Sequence, residues 1–214
     1  MNRLMVLAVL WLAALSAAHA EAPVILVFGD SISAGYGLPR VEQGWVALLQ
    51  AKLKQQGYGD EVVNASVSGE TTEGGLARLP RALSLHHPQI VILELGGNDG
   101  LRALPVADMR SNLSRMIDLA TAAGAKVLLL GMRIPPNYGP TYTAQFSAVY
   151  ADLAQTRHVP VVSFLLDGIA LNADLMQADG IHPNPSGQPR LLENVWPALL
   201  PLLKQSRHLE PSSH

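Results

Sequence analysis

A short, unbroken apolar run recurs along this chain, and a stretch of helical periodicity separates each run from the next. The runs are Val24-Ile25-Leu26-Val27-Phe28, Val62-Val63, Ile90 to Leu95, Val127 to Leu130 and Val159 to Val162. Apolar runs without polar alternation suit strands covered on both faces. Between them, Trp45, Leu48, Leu49 and Leu53 fall at helical spacing, with Gly57 as a stop. Met109, Leu113, Met116, Ile117 and Ala120 do the same before Gly124. Thr72 to Leu85 and Thr143 to Arg157 are weaker helical patterns, and Leu191 to Leu203 is apolar at helical intervals. In the last, Pro197 and Pro201 should kink or split the helix. Alternating strand and helix predicts a parallel sheet with helices on both faces. Right-handed crossovers leave few topologies. The simplest is one three-layer α/β domain on a flavodoxin-like, five-stranded parallel sheet.

Residues 1–20 stand outside that pattern. Arg3 gives a short positive start, Leu4 to Ala18 is nearly all apolar, and Ala18-His19-Ala20 is a small-x-small site. This predicts a secretory signal peptide cut before Glu21. The run is shorter than the roughly 20 apolar residues of a spanning helix, so no stable membrane anchor is expected. The protein is therefore expected in the periplasm or secreted. Residues 21–205 make one domain, and residues 206–214 read as a loose polar tail. A formal charge of -2 gives no electrostatic footprint for nucleic acid. With no Cys, neither disulfides nor thiol ligands are available. A monomer without cofactor is expected.

Four separated segments carry the chemistry: Gly29-Asp30-Ser31-Ile32, Ser68-Gly69-Glu70, Gly96-Gly97-Asn98-Asp99 and Asp179-Gly180-Ile181-His182-Pro183. The first three each follow a strand-like run, and active groups in open parallel sheets gather at the carboxyl ends of strands. Ser31 is presented where the next helix begins; its plainer role there is a cap or turn residue. A Ser hydroxyl needs a base to act as a nucleophile near neutral pH. Of the histidines, His86, His87 and His158 precede strands, on the edge away from Ser31, and His208 and His214 lie in the tail. His182 follows the last strand, and Asp179 lies three residues before it. A tight turn there places the carboxylate against Nδ1 and leaves Nε2 for Ser31. The alternative is a surface Asx-turn. Backbone N–H groups of Ser31 and Gly69 and the Asn98 amide are candidate oxyanion donors; turn-forming Gly and Asn are the alternatives. A metal held by Asp179 and His182 lacks a third ligand at a supporting spacing. No Gly-x-Ser-x-Gly elbow occurs.

Taken together and in order, these blocks resemble those of the SGNH hydrolases, also called the GDSL family. By that resemblance Ser31 corresponds to the nucleophile, Gly69 and Asn98 to its oxyanion partners, and Asp179 and His182 to its Asp-x-x-His pair. Ile32 replaces the Leu of the family name, a conservative apolar change. Asn64 to Gly69, Leu95 to Arg102 and Pro136-Asn137-Tyr138-Gly139 are similar to the bacterial multifunctional thioesterase, lysophospholipase and arylesterase branch. The resemblance implies an exported serine hydrolase acting on small-molecule acyl esters and thioesters. Leu101, Leu104, Ile134, Pro135 and Tyr138, in loops after the third and fourth strands, suit an acyl pocket; packing beneath those loops is the other role open to them. A carbohydrate acetylesterase of the same superfamily is a rival activity. A periplasmic solute-binding module is a rival of another class, although that usually needs two lobes.

Overall fold

The structure, a computed structural model, describes residues 22–207. The expected signal peptide, His208 and His214 lie outside the described residues. The strands are β1 (Val24–Gly29), β2 (Glu61–Asn64), β3 (Ile90–Glu94), β4 (Lys126–Leu130) and β5 (Val161–Val162). Every pairing is parallel, in the order β2-β1-β3-β4-β5. This is the flavodoxin-like order expected from the alternation. Ile25 to Phe28 on β1 and Ile90 to Leu93 on β3 are essentially inaccessible to solvent. Each such apolar side chain contributes about 1.5–3 kcal/mol relative to exposure, which is why these runs occupy the centre.

The helices are α1 (Ser31–Ala34), α2 (Trp45–Gln55), α3 (Thr72–His86), α4 (Gly97–Leu101), α5 (Val106–Ala122), α6 (Pro140–Arg157) and α7 (Gln188–Arg207). α2 packs on α7, while α3, α5 and α6 pack in series. The crossover from β1 to β2 runs one way along the sheet and the later ones run the other. Right-handed connections then place α2 on one face and α3, α5 and α6 on the other, and α7 returns to pack beside α2. The order reverses between β1 and β3, and a crevice opens at such a switch point.

Three sequence expectations need correction. Val62 and Val63 are only partly buried, because β2 is an edge strand with one neighbour. Pro197 and Pro201 do not split α7. Both point to solvent, while Leu191, Val195, Leu199 and Leu203 are buried on the opposite side. Tertiary packing of that stripe offsets the roughly 3 kcal/mol that an interior Pro costs a helix. Finally, Ser206 and Arg207 belong to α7 rather than to a loose tail, and Ser206 Oγ accepts a hydrogen bond from Lys126 Nζ at 3.2 Å.

Candidate active site

β1 ends at Gly29, and the chain turns at once into α1. Asp30 caps that helix: its Oδ1 accepts from the Ile32 N–H at 3.0 Å. Because Asp30 does the capping, the Ser31 hydroxyl is free for another partner. That partner is His182, whose Nε2 lies 2.8 Å from Ser31 Oγ. On the other side of the ring, Nδ1 lies 2.7 Å from Asp179 Oδ2. The two readings of Asp179 are both correct geometrically. Its Oδ1 accepts from the Ile181 and His182 N–H groups at 2.9 and 3.0 Å, an Asx-type turn, and this turn aims Oδ2 at the ring. Gly180, with φ of 66°, supplies the left-handed residue within it.

Residues that the sequence reading passed over hold this loop. Gln177 Nε2 donates to the Tyr36 and Pro183 carbonyls at 2.8 and 3.1 Å, tying the His182 loop to the segment after α1. Buried Gln188 donates to the same Pro183 carbonyl and accepts from the Trp45 N–H. The Tyr36 ring lies 4.7 Å from the imidazole, centroid to centroid. A lone Gln in a polar stretch gives no signal in the sequence.

Asn98 lies on α4, after β3, and its Nδ2 donates to Asp30 Oδ2 at 3.1 Å. Gly69, at a φ of 78°, lines the same cavity as Ser31 and Asn98. Arg102 Nη2 donates to the Gly69 carbonyl at 2.9 Å and pins the second block to the third. Asp99, beside Asn98, accepts from the Thr72 N–H at 2.9 Å and so fixes α4 to the start of α3. These contacts bring all four segments to one edge of the sheet.

The cavity beside Ser31 has a volume of about 620 Å³. Leu101, Ile134 and Pro135 line it as expected. Leu104 and Tyr138 do not. The Tyr138 hydroxyl donates to the Leu101 carbonyl at 2.7 Å and supports the wall from behind. The Leu104 side chain is exposed, and its carbonyl accepts from the Tyr142 hydroxyl. A segment after β5 contributes instead, through Phe164, Leu166, Leu171 and Met176. Its part was missed because β5 is only two residues long and irregular chain follows it.

Two kinds of carboxyl group surround Ser31. At Asp179 partial burial opposes ionisation, but hydrogen bonds from the His182 ring and from the His182 and Ile181 N–H groups outweigh it and lower its pKa to about 2. At Asp30 burial dominates over those from Ile32 and Asn98 and raises the value to about 6. Glu94, fully enclosed at the end of β3, is pushed well above its ordinary value by burial and by the neighbouring Asp30 charge. A Ser hydroxyl, an imidazole and an ionised carboxylate in series, beside an apolar cavity, have the geometry of nucleophilic acyl transfer.

Fold and site together fit a serine-type hydrolase on a flavodoxin-like sheet, without the Gly-x-Ser-x-Gly elbow. The model of the GDSL-like Lipase/Acylhydrolase family matches residues 27–190, and the chain belongs to that family. The chain is similar to Esterase TesA of Pseudomonas aeruginosa, 55% identical over 185 residues, covering 86% of this chain and 92% of the relative. It is also similar to Thioesterase 1/protease 1/lysophospholipase L1 of Escherichia coli K12, 41% identical over 194 residues and covering 91% of each. A crystal structure of TesA superposes with a TM-score of 0.82 at 55% identity, covering 84% of this chain and 99% of the other. Like its family, the protein is a carboxylic ester hydrolase. No helix among the described residues is long and apolar enough to cross a membrane.

Proposed function

We propose that the protein hydrolyses acyl esters and thioesters, including acyl-CoA, lysophospholipid and aryl ester types, through an acyl-enzyme on Ser31. The observation that carries this is the series Ser31 Oγ, His182 Nε2, His182 Nδ1 and Asp179 Oδ2, with separations of 2.8 and 2.7 Å, beside the apolar cavity. His182 takes the Ser31 proton as Oγ attacks the acyl carbonyl. Asp179 orients the ring and balances the imidazolium. The Ser31 and Gly69 N–H groups and the Asn98 amide receive the oxyanion. His182 then protonates the leaving thiol or alcohol. Water activated by the same ring releases the acid and restores Ser31.

Leu101, Ile134 and Pro135 receive the acyl chain, with Phe164, Leu166 and Leu171 adding to the apolar side of the same cavity. That supports acyl-chain substrates over a carbohydrate acetylesterase. The enzyme acts as a monomer after removal of residues 1–20, in the periplasm or outside the cell, and without nucleic-acid partners. A panel of p-nitrophenyl esters and acyl-CoA thioesters of graded length tests this. Turnover should rise from acetyl to medium chains with both leaving groups. Activity confined to acetyl esters of sugars would overturn the substrate class.

A further inference from the structure

Glu94 ends an otherwise apolar strand, and no solvent reaches it. Its Oε2 accepts from the Asp30 N–H at 3.1 Å and from the Ser33 hydroxyl at 2.7 Å. It thus clasps both ends of the turn that carries Ser31. Gly29 is needed for this clasp, because a Cβ there would strike Glu94 Oε2 and would stand 2.9 Å from the Glu94 carbonyl oxygen. The other carboxyl oxygen, Oε1, is buried and finds no donor among the described residues. A buried, ionised oxygen without a partner is costly. A neutral carboxylic acid removes that cost, since its O–H becomes a donor and the adjacent Asp30 carboxylate is the acceptor. The two shifts agree with this placement of the proton. Burial and the Asp30 charge push Glu94 well above its ordinary value, and a hydrogen bond from Glu94 helps to hold Asp30 down.

Asp30 leads on to the site. Its Oδ1 is occupied by the Ile32 N–H, and its Oδ2 accepts one hydrogen of Asn98 Nδ2. An amide nitrogen has two hydrogens in one plane. Fixing one on Asp30 fixes the direction of the other. We propose that Glu94 is a positioning residue that acts through Asp30 to aim the free Asn98 Nδ2 hydrogen at the acyl oxygen. This role rests on the acyl-transfer reading of the Ser31 site. A preorganised donor stabilises an oxyanion because it need not reorient during the reaction. A freely turning Asn98 amide divides its time between Asp30, water and the substrate. Glu94 therefore affects the transition state more than ground-state binding.

The test is a double-mutant cycle on a short-chain p-nitrophenyl ester, with kcat and KM determined separately. Glu94→Met fills the site with an apolar side chain of similar length and removes the clasp. It should lower kcat by about 10–100-fold, less than the roughly 10²–10³-fold of losing an oxyanion donor outright, with KM within about twofold. Glu94→Gln keeps an acceptor and a donor in place and should recover most of kcat. The deciding comparison is Glu94→Met on an Asn98→Ala background. If Glu94 acts through Asn98, the second substitution should cost almost nothing further. An equal loss of kcat on both backgrounds means general loosening of the fold and overturns the proposal. Should Glu94→Met not melt cooperatively, Gly29→Ala, whose Cβ displaces Glu94 Oε2, takes its place in the same cycle, with the same two outcomes. Ser31→Ala is run alongside. If it keeps turnover, the acyl-enzyme reading itself fails; if it is dead while Glu94→Met keeps wild-type kcat, only the positioning role fails.

Discussion

His87 and His158 stand at one edge of the sheet and His182 at the other. The first two close α3 and α6 in the left-handed conformation, with φ of 42° and 52°, and both are exposed. Their backbone N–H groups bond the Leu83 and Ala154 carbonyls, so the caps are made by the backbone. At the opposite edge, His182 is held between Ser31 and Asp179, with its backbone N–H and carbonyl also bonded. The residue type is the same, but the edges differ in what converges there. Helices start from the carboxyl edge, and the loops from β1, β3 and β5 meet across the switch point. At the amino edge each loop only returns the chain to the next strand. A histidine acquires chemistry here from its neighbours, not from its own nature.

The largest expected difference between the edges lies in turnover. His182→Ala should lower kcat by about 10⁴-fold or more, as expected when a base is removed from a unit that acts together. His158→Ala should leave it unchanged. Steady-state rates on one aryl ester decide this, and equal effects at both positions would erase the contrast. Next comes Asn98→Ala, with an expected fall in kcat of about 10²–10³-fold and little change in KM. A rise in KM at constant kcat would make Asn98 a ground-state binding residue.

The carboxyl groups at the active edge separate further by pH. Asp179 lies at about 2, below its ordinary 3.8. Its stabilising contribution is present above pH 3.8 and is lost as pH falls towards 2. Glu94 is shifted the other way, upwards from 4.5. Both states hold its proton at low pH, and the unfolded chain releases it first as pH rises, so folding loses stability in that direction. Urea melts should therefore show Glu94→Gln gaining on the native protein as pH rises above 4.5. Asp179→Asn should lag it near neutrality and draw level near about pH 2. A Glu94→Gln difference that does not change with pH would mean that Glu94 ionises freely when folded.

The smallest effect belongs to the quiet edge. His87→Gly relieves a left-handed side chain that has no catalytic task, and should stabilise the fold by about 0.5–1 kcal/mol in thermal or urea melts. Destabilisation would show that the ring makes contacts of its own.

Legibility in the sequence follows the same division. The central strands β1, β3 and β4 stood out because burial on both faces leaves an unbroken apolar run. The edge strands were less clear: β2 is partly solvated, and β5 shrinks to Val161 and Val162. Ser31, Gly69, Asn98, Asp179 and His182 were readable because polar and Gly residues at strand ends contrast with the apolar runs before them. Glu94 was hidden inside such a run, and nothing in one dimension shows that Gly29 makes room for it. Gln177 and Gln188 act through carbonyls far along the chain, a relation that only folding creates. Tyr138 carried the right chemistry for a pocket wall, but its hydroxyl turns to the Leu101 carbonyl and supports the wall from outside.

The most direct measurement of the nucleophile's identity is covalent labelling with a p-nitrophenyl alkylphosphonate, followed by intact mass and peptide mapping. One adduct per chain is expected, on the peptide bearing Ser31, absent from Ser31→Ala and formed far more slowly by His182→Ala. Labelling of Ser31→Ala at the wild-type rate, or an adduct on any other residue, would contradict the assignment of Ser31 as the attacking group.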